Sequence, residues 1–180
     1  MNMPYPAGPG HLNDLCLISP IFHEGKMFAI AANQAHHVDM GGFAPGSMPF
    51  GVQEIFQEGL QIPPVRLFRG GELDPELWSL ISLNVRPPVE VHGDLMAQYA
   101  ANVTGARRLN ELVDKYELET VETYLSEMIA YSERRMRAAL GKIPQGRYSY
   151  EDVIEGDGIT DTPYTIRVTV EAKGDSITTD

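Results

Sequence analysis

Residues 10–42 read GHLNDLCLISPIFHEGKMFAIAANQAHHVDMGG. Two short apolar runs lie inside this stretch, Leu15 to Phe22 and Met27 to Ala35, separated by His23-Glu24-Gly25-Lys26. The separator has the length and the glycine of a hairpin turn, so the pattern predicts two antiparallel strands. Four of the chain's five histidines, His11, His23, His36 and His37, fall here together with Asp14 and Asp39. Folding the first run back on the second brings His11 and Asp14 to the same open end as His36, His37 and Asp39. Imidazole nitrogens and carboxylate oxygens meeting at the end of a rigid hairpin are the donor set of a zinc, manganese or iron site.

The spacing narrows the candidates. His11 and Asp14 are three residues apart, so one tight turn can aim both at a single ion. His36 and His37 are strand neighbours and must point to opposite faces, so at most one of them is a ligand. Gly41 and Gly42 allow main chain to approach a site closely. His23 sits in the turn and is expected in solvent. Cys16 lies in an apolar strand and is expected as a buried structural thiol.

Composition sets the outer limits. A chain of 180 residues can bury a real core. A net charge of -11 argues against nucleic acid and against an anionic membrane surface, both of which demand clustered Lys and Arg. One cysteine allows no internal disulfide, which suits a reducing, cytoplasmic setting. The amino-terminal residues lack the pattern of a secretory signal, and no stretch approaches the roughly 20 apolar residues of a membrane span.

The remaining chain reads as α+β: an N-terminal β-hairpin region with site loops (1–70), a helical middle (73–141) and C-terminal antiparallel strands (144–180). Residues 1–10 are rich in Pro and Gly and read as a loop, as does GGFAPGSMPFG over residues 41–51, where Phe43, Met48 and Phe50 could form an apolar wall. Over Val52 to Leu60, Glu54 and Glu58 would share a face if helical, and one of them could act as a general base. Val65 to Phe68 is a strand candidate. Asp74-Pro75 starts a helix that runs to Asn84 and ends before Pro87-Pro88. Two long helices follow, Val89 to Tyr116 and Leu118 to Leu140, with Gly141 as cap; the short link predicts an antiparallel pair. Gly105 is a candidate kink or close-packing point. Asp94, Gln98 and Asn102 share one face of the first long helix and could reach the site. The five arginines Arg107, Arg108, Arg134, Arg135 and Arg137 read as surface charges that balance Glu. Residues 144–157 and 164–179 read as strands, joined by an acidic turn at Glu155 to Asp161 that lacks the spacing of a calcium loop. Lys173-Gly174-Asp175 suggests a further hairpin turn.

A set of motifs in this order resembles the hydantoinase B/oxoprolinase family. They are His11-Leu12-Asn13-Asp14, Ala35-His36-His37-Val38-Asp39-Met40-Gly41-Gly42, Pro45-Gly46-Ser47-Met48-Pro49, and Glu54-Ile55 with Glu58-Gly59-Leu60-Gln61-Ile62-Pro63-Pro64. Asn84-Val85-Arg86, Gly93-Asp94-Leu95 with Gln98, and Gly105-Ala106-Arg107-Arg108 complete the set. The resemblance implies a B-type subunit of an ATP-dependent cyclic-amide hydrolase. An A-type partner would bind ATP and activate the ring carbonyl of a small hydantoin- or 5-oxoproline-type substrate. It carries metal ligation to His11, Asp14 and His36 and adds weight to Glu58 and Asp94 as catalytic candidates; Asp39, beside the histidines, is expected to support the ligands. No phosphate-cradling glycine motif is present, so ATP is expected on the partner of a hetero-oligomer. Two departures stand out. Asn2-Met3-Pro4-Tyr5 replaces the family's Asn-Asp-Pro-Tyr and so lacks a carboxylate, and family subunits are much longer. A subunit of an acetone- or acetophenone-type carboxylase, or a fragment that only docks a partner, are the alternative readings.

Overall fold

The structure, a computed structural model, describes residues 1–5 and 8–180. Pro6, part of the amino-terminal loop expected from the sequence, lies outside the described residues. The chain divides into two compact units, Met1–Glu111 and Leu112–Asp180. The division falls inside a helix rather than at a Pro- or Gly-rich linker.

The first unit is built on the expected hairpin. Strand β1 (Asp14–His23) pairs antiparallel with β2 (Lys26–His36), in a register that sets Asp14 opposite His36 and Leu15 opposite Ala35. The turn residues Glu24 and Gly25 have φ of 47° and 77°. Positive φ at both central positions gives the turn a twist that matches the twist of the strands. Side chains alternate between two faces. Leu15, Leu17 and Ile21 go into the core, and the row of Asp14, Gln34 and His36 stays on the outer side. Met1 extends the free edge of β1: its amino group donates to Cys16 O, and Cys16 N donates to Met1 O.

A small second hairpin, β3 (Phe68–Arg69) and β4 (Glu72–Leu73), turns at Gly70-Gly71. Helix α1 (Pro75–Asn84) starts where expected, with Asp74 accepting hydrogen bonds from Glu76 N and Leu77 N. Helix α2 (Pro88–Tyr116) follows after Val85-Arg86-Pro87. The core of this unit joins Leu15 and Leu17 of β1, Met40, Ile62, Leu67, Ile81 of α1, and Val91 and Leu95 of α2. Trp78 packs on this core and meets His92 edge-on at 5.0 Å. Residues 52–60 are not a helix. They form only a 3-10 turn at Ile55–Gln57, because the main chain there bonds outward: Phe43 N donates to Gln57 O, and Leu60 N donates to Met40 O. Glu54 and Glu58 therefore do not share a helical face. Gly105 continues α2 without a close neighbour, since an added Cβ would meet nothing within 4 Å.

The second unit holds the end of α2, helix α3 (Leu118–Leu140), and a sheet of β5 (Gly146–Ile154), β6 (Tyr164–Lys173) and β7 (Ser176–Thr179) in the order β5-β6-β7. Both expected long helices are present, joined through Glu117 at φ 68°. Gly141 closes α3 in a right-handed conformation, with its N–H on Arg137 O and Ala139 O. The acidic turn is a plain one: Asp157 accepts from Ile159 N, Thr160 N and the Tyr164 hydroxyl. Main-chain donors at Thr160 and Ile159 pull the Asp157 carboxyl down to about 2. Arg107, Arg108 and Arg137 pair with Glu111 and Glu133 as surface charges. Among the described residues no helix is long and apolar enough to cross a membrane.

Candidate metal centre

The open end of the β1–β2 hairpin gathers three donors. Asp14 opens β1 and His36 closes β2, so strand pairing alone makes them neighbours. His11 joins them through the turn closed by Asp14 N on His11 O at 3.2 Å. Asp14 Oδ1 lies 3.0 Å from His11 Nε2 and 3.0 Å from His36 Nδ1. The two imidazole rings face each other at 4.9 Å, and one donor atom from each of the three residues lies within 4.8 Å of the others. Ligands held about 2.0 Å from a common tetrahedral ion sit about 3.3 Å apart, close to the two spacings seen here. Two nitrogens and one carboxylate oxygen leave a fourth position open, as catalytic zinc-type sites do. The donors are reachable from solvent, with His11 and Asp14 half-buried and His36 exposed.

The electrostatics suit a cation. Partial burial pushes the Asp14 carboxyl up. Hydrogen bonds with His36, Gln34 and His11 and the positive charge available on His11 outweigh this and hold it below the usual carboxylate range. Asp14 thus stays anionic and ready to ligate.

Behind these residues lies a buried polar frame. His37 points away from His36, as strand alternation demands, and is fully buried. Its Nε2 lies 2.9 Å from Gln98 Oε1. The Gln98 amide nitrogen donates to Leu15 O and to Asn33 Oδ1, which fixes Oε1 as an acceptor and places the ring proton of His37 on Nε2. Asn102 donates to Leu17 O and Ser19 Oγ and accepts from Asn33. Gln98 and Asn102 thus clamp α2 onto the hairpin rather than entering the site. Asn13, between the two ligand candidates His11 and Asp14, donates to His37 O and Gly46 O and ties the site to the following loop.

That loop is held by Asp39. Its Oδ1 accepts from Gly41 N and Arg86 N, and its Oδ2 accepts from Gly46 N and the Arg86 guanidinium. Burial pushes this carboxyl up, but the donors from Gly41, Gly46 and Arg86 hold it below the ordinary range. Both oxygens are committed to the loop, and among the described residues Asp39 makes no hydrogen bond to His11, Asp14 or His36. Glu58 is half-buried beside the 3-10 turn and Asp94 is exposed on α2; neither carboxylate joins the three donors. Phe43, Met48 and Phe50 project into solvent and form no apolar wall. Cys16 is half-buried rather than buried, because it shares the outer face with Gln34. His23 is half-buried rather than free, with its ring 3.4 Å from Asn110 Oδ1. A cavity of about 330 Å³ lies beside the free edge of β1, lined by Leu17, Ile18, Ile62, Val65, Phe68 and Tyr99 among others, but not by the three donors.

The sequence reading assigned no role to Gln34, Asn13 or Arg86. Gln34 was reachable by alternation alone, as it lies two residues before His36 on one strand. Arg86 was not, because 47 residues separate it from Asp39.

Comparison with known proteins bears on the whole chain. The hydantoinase B/oxoprolinase family matches over residues 1–180. An uncharacterized protein of Methanocaldococcus jannaschii is 43% identical over 143 residues, 79% of this chain and 25% of its own length. The B-type subunit of a putative D-/L-hydantoinase from a Pseudomonas strain is 34% identical over 99% of this chain and 31% of its own length. The crystal structure of the ATP-dependent caprolactamase from Pseudomonas jessenii superimposes with a TM-score of 0.88 at 34% identity, covering 99% of this chain and 31% of that one. The chain therefore spans between a quarter and a third of the length of these relatives.

Proposed function

The chain belongs to the hydantoinase B/oxoprolinase family, and from that premise we propose that it carries the metal centre of a B-type subunit in an ATP-dependent cyclic-amide hydrolase. The observation that carries this reading is the convergence of His11 Nε2, Asp14 Oδ1 and His36 Nδ1 on one point at the hairpin's open end. These three residues would hold a divalent zinc, manganese or iron ion, which supplies Lewis acidity toward a ring carbonyl and toward water.

The chain's own residues do the positioning. The β1–β2 register fixes Asp14 against His36. The His37–Gln98 and Asn102 bonds hold the strands on α2, so the ligands sit on a stiff support rather than on a mobile loop. Asp39 and Arg86 pin the Gly41–Ser47 loop, and Asn13 ties that loop to the ligand-bearing turn. The open side of the site faces solvent, where a small lactam or imide could enter. The ATP-binding function falls to an A-type partner, since this sequence has no phosphate-cradling motif.

Elemental analysis of protein purified without chelator or nickel tests the reading, with wild type beside His36→Ala. About one divalent ion per chain in the wild type, lost in the variant, is expected. An ion-free wild type would overturn the metal reading. Reconstitution with an A-type subunit, ATP and a hydantoin, a lactam or 5-oxoproline then follows ring opening by mass spectrometry. Bicarbonate-dependent carbon–carbon bond formation in place of ring opening would favour the carboxylase alternative.

A further inference from the structure

Asp14 uses its two oxygens differently. Oδ1 faces both histidines, 3.0 Å from each. Oδ2 instead accepts a hydrogen bond from Gln34 Nε2 at 2.9 Å. Gln34 is brought there by the sheet: Cys16 pairs with Gln34 just as Asp14 pairs with His36, so Gln34 sits diagonally across from Asp14 on the outer face. No turn or cap holds it, and its side chain reaches Asp14 from exposed surface.

We infer that Gln34 is a positioning residue of the metal centre, which occupies Asp14 Oδ2 and so restricts Asp14 to a single ligand oxygen, Oδ1. This inference rests on the metal reading above. The physical reason is simple. A carboxylate with both oxygens free can rotate and grip a cation with two oxygens, a mode that hard cations accept readily in large, flexible coordination shells. A donor fixed on Oδ2 opposes that rotation. The ion then meets one oxygen and two imidazole nitrogens, a compact set that favours zinc over manganese. Partners of ligating carboxylates are known to matter at this level: their loss costs about 10–100-fold in metal affinity.

Gln34→Leu removes the donor and puts an apolar side chain of similar volume at an exposed strand position. Zinc and manganese affinities of the full chain, wild type and variant, are read by competition with a chromophoric chelator, and the urea midpoint of each is measured alongside. The expected result is about tenfold weaker zinc binding in Gln34→Leu, a narrower preference for zinc over manganese, and an unchanged urea midpoint. The change in preference is the decisive reading, because a merely structural role would not move it. Zinc binding by the variant within about twofold of wild type would overturn this inference and leave the metal reading standing. Equal losses for both metals would overturn it too, since one-oxygen ligation would then not be what Gln34 secures. A wild type that binds neither metal would sink the metal reading first, and this inference with it.

Discussion

At the scale of single residues, Asp39 shows how much one buried carboxylate can hold in place. It is almost completely buried and accepts four hydrogen bonds, two of them from Arg86. Asp39→Asn turns one acceptor oxygen into a donor that faces donors, so unfolding by urea at neutral pH is expected to show a loss of about 3 kcal/mol. The acid dependence has a definite sign. The folded Asp39 carboxyl lies below its ordinary value, so its stabilisation is fully present above the unfolded pKa of about 3.9 and is lost as pH falls through the folded value. The urea midpoint of the wild type should therefore drop steeply below about pH 4. The Asp39→Asn variant should start lower and fall less. A variant as stable as wild type at neutral pH would show that the loop does not depend on this carboxylate. Sequence alone named Asp39 and located it near the hairpin's end, but its partner Arg86 comes from after α1, and only chain packing brings the two together.

Secondary-structure elements supply the next level. The β1–β2 turn places Glu24, a residue without special tolerance for it, at φ 47° beside Gly25 at φ 77°. Asn-Gly is the preferred pair for such a turn, so Glu24→Asn is expected to stabilise the chain by about 0.5 kcal/mol, read as a higher thermal midpoint. The join between hairpin and helix is polar at its centre. Gln98→Leu would leave Leu15 O, Asn33 Oδ1 and His37 Nε2 without their partner. A loss of about 3 kcal/mol in urea unfolding is expected. A loss well under about 1 kcal/mol would mean that the network contributes little. Most element boundaries were legible in the sequence because they depend on local signals: the Gly25 turn, the Asp74-Pro75 start of α1, and the apolar spacing of α2 and α3. The conformation of residues 52–60 is not legible in this way, for the opposite reason. Their main-chain groups bond to Met40 and Phe43, and periodicity within a window cannot register partners outside it.

For the whole molecule, the two units differ in what holds them. The first has a continuous apolar core from β1 through α1 to α2. Among the described residues, only Val113, Val121 and Ala172 of the second unit are buried apolar side chains, while Tyr150, Ile129 and Ile166 stand exposed. Few buried contacts mean low-energy local opening. Amide hydrogen exchange should therefore be roughly tenfold or more faster in β5–β7 than in β1, β2 and the first turns of α2. Equal protection would indicate that the second unit has support not visible in its own packing. If the centre at His11, Asp14 and His36 binds zinc, free zinc at about 100 times its Kd should raise stability by about 2.7 kcal/mol, and His36→Ala should abolish that shift.

Local sequence was enough to set the hairpin and the long helices, and the hairpin pattern was enough to bring His11, Asp14 and His36 to one end of it. Turn glycines, strand alternation and helical periodicity are written into neighbouring residues, and a family resemblance adds order among distant motifs. Tertiary structure alone decided how those residues are used. The strand register turned Gln34 into the partner of Asp14. The packing of α2 on the hairpin made Gln98 and Asn102 a clamp instead of site residues. The return of the chain after α1 gave Asp39 its arginine. Each of these depends on where a polar group finds its bond across dozens of residues, and hydrogen bonds at that separation are set by packing rather than by any local pattern.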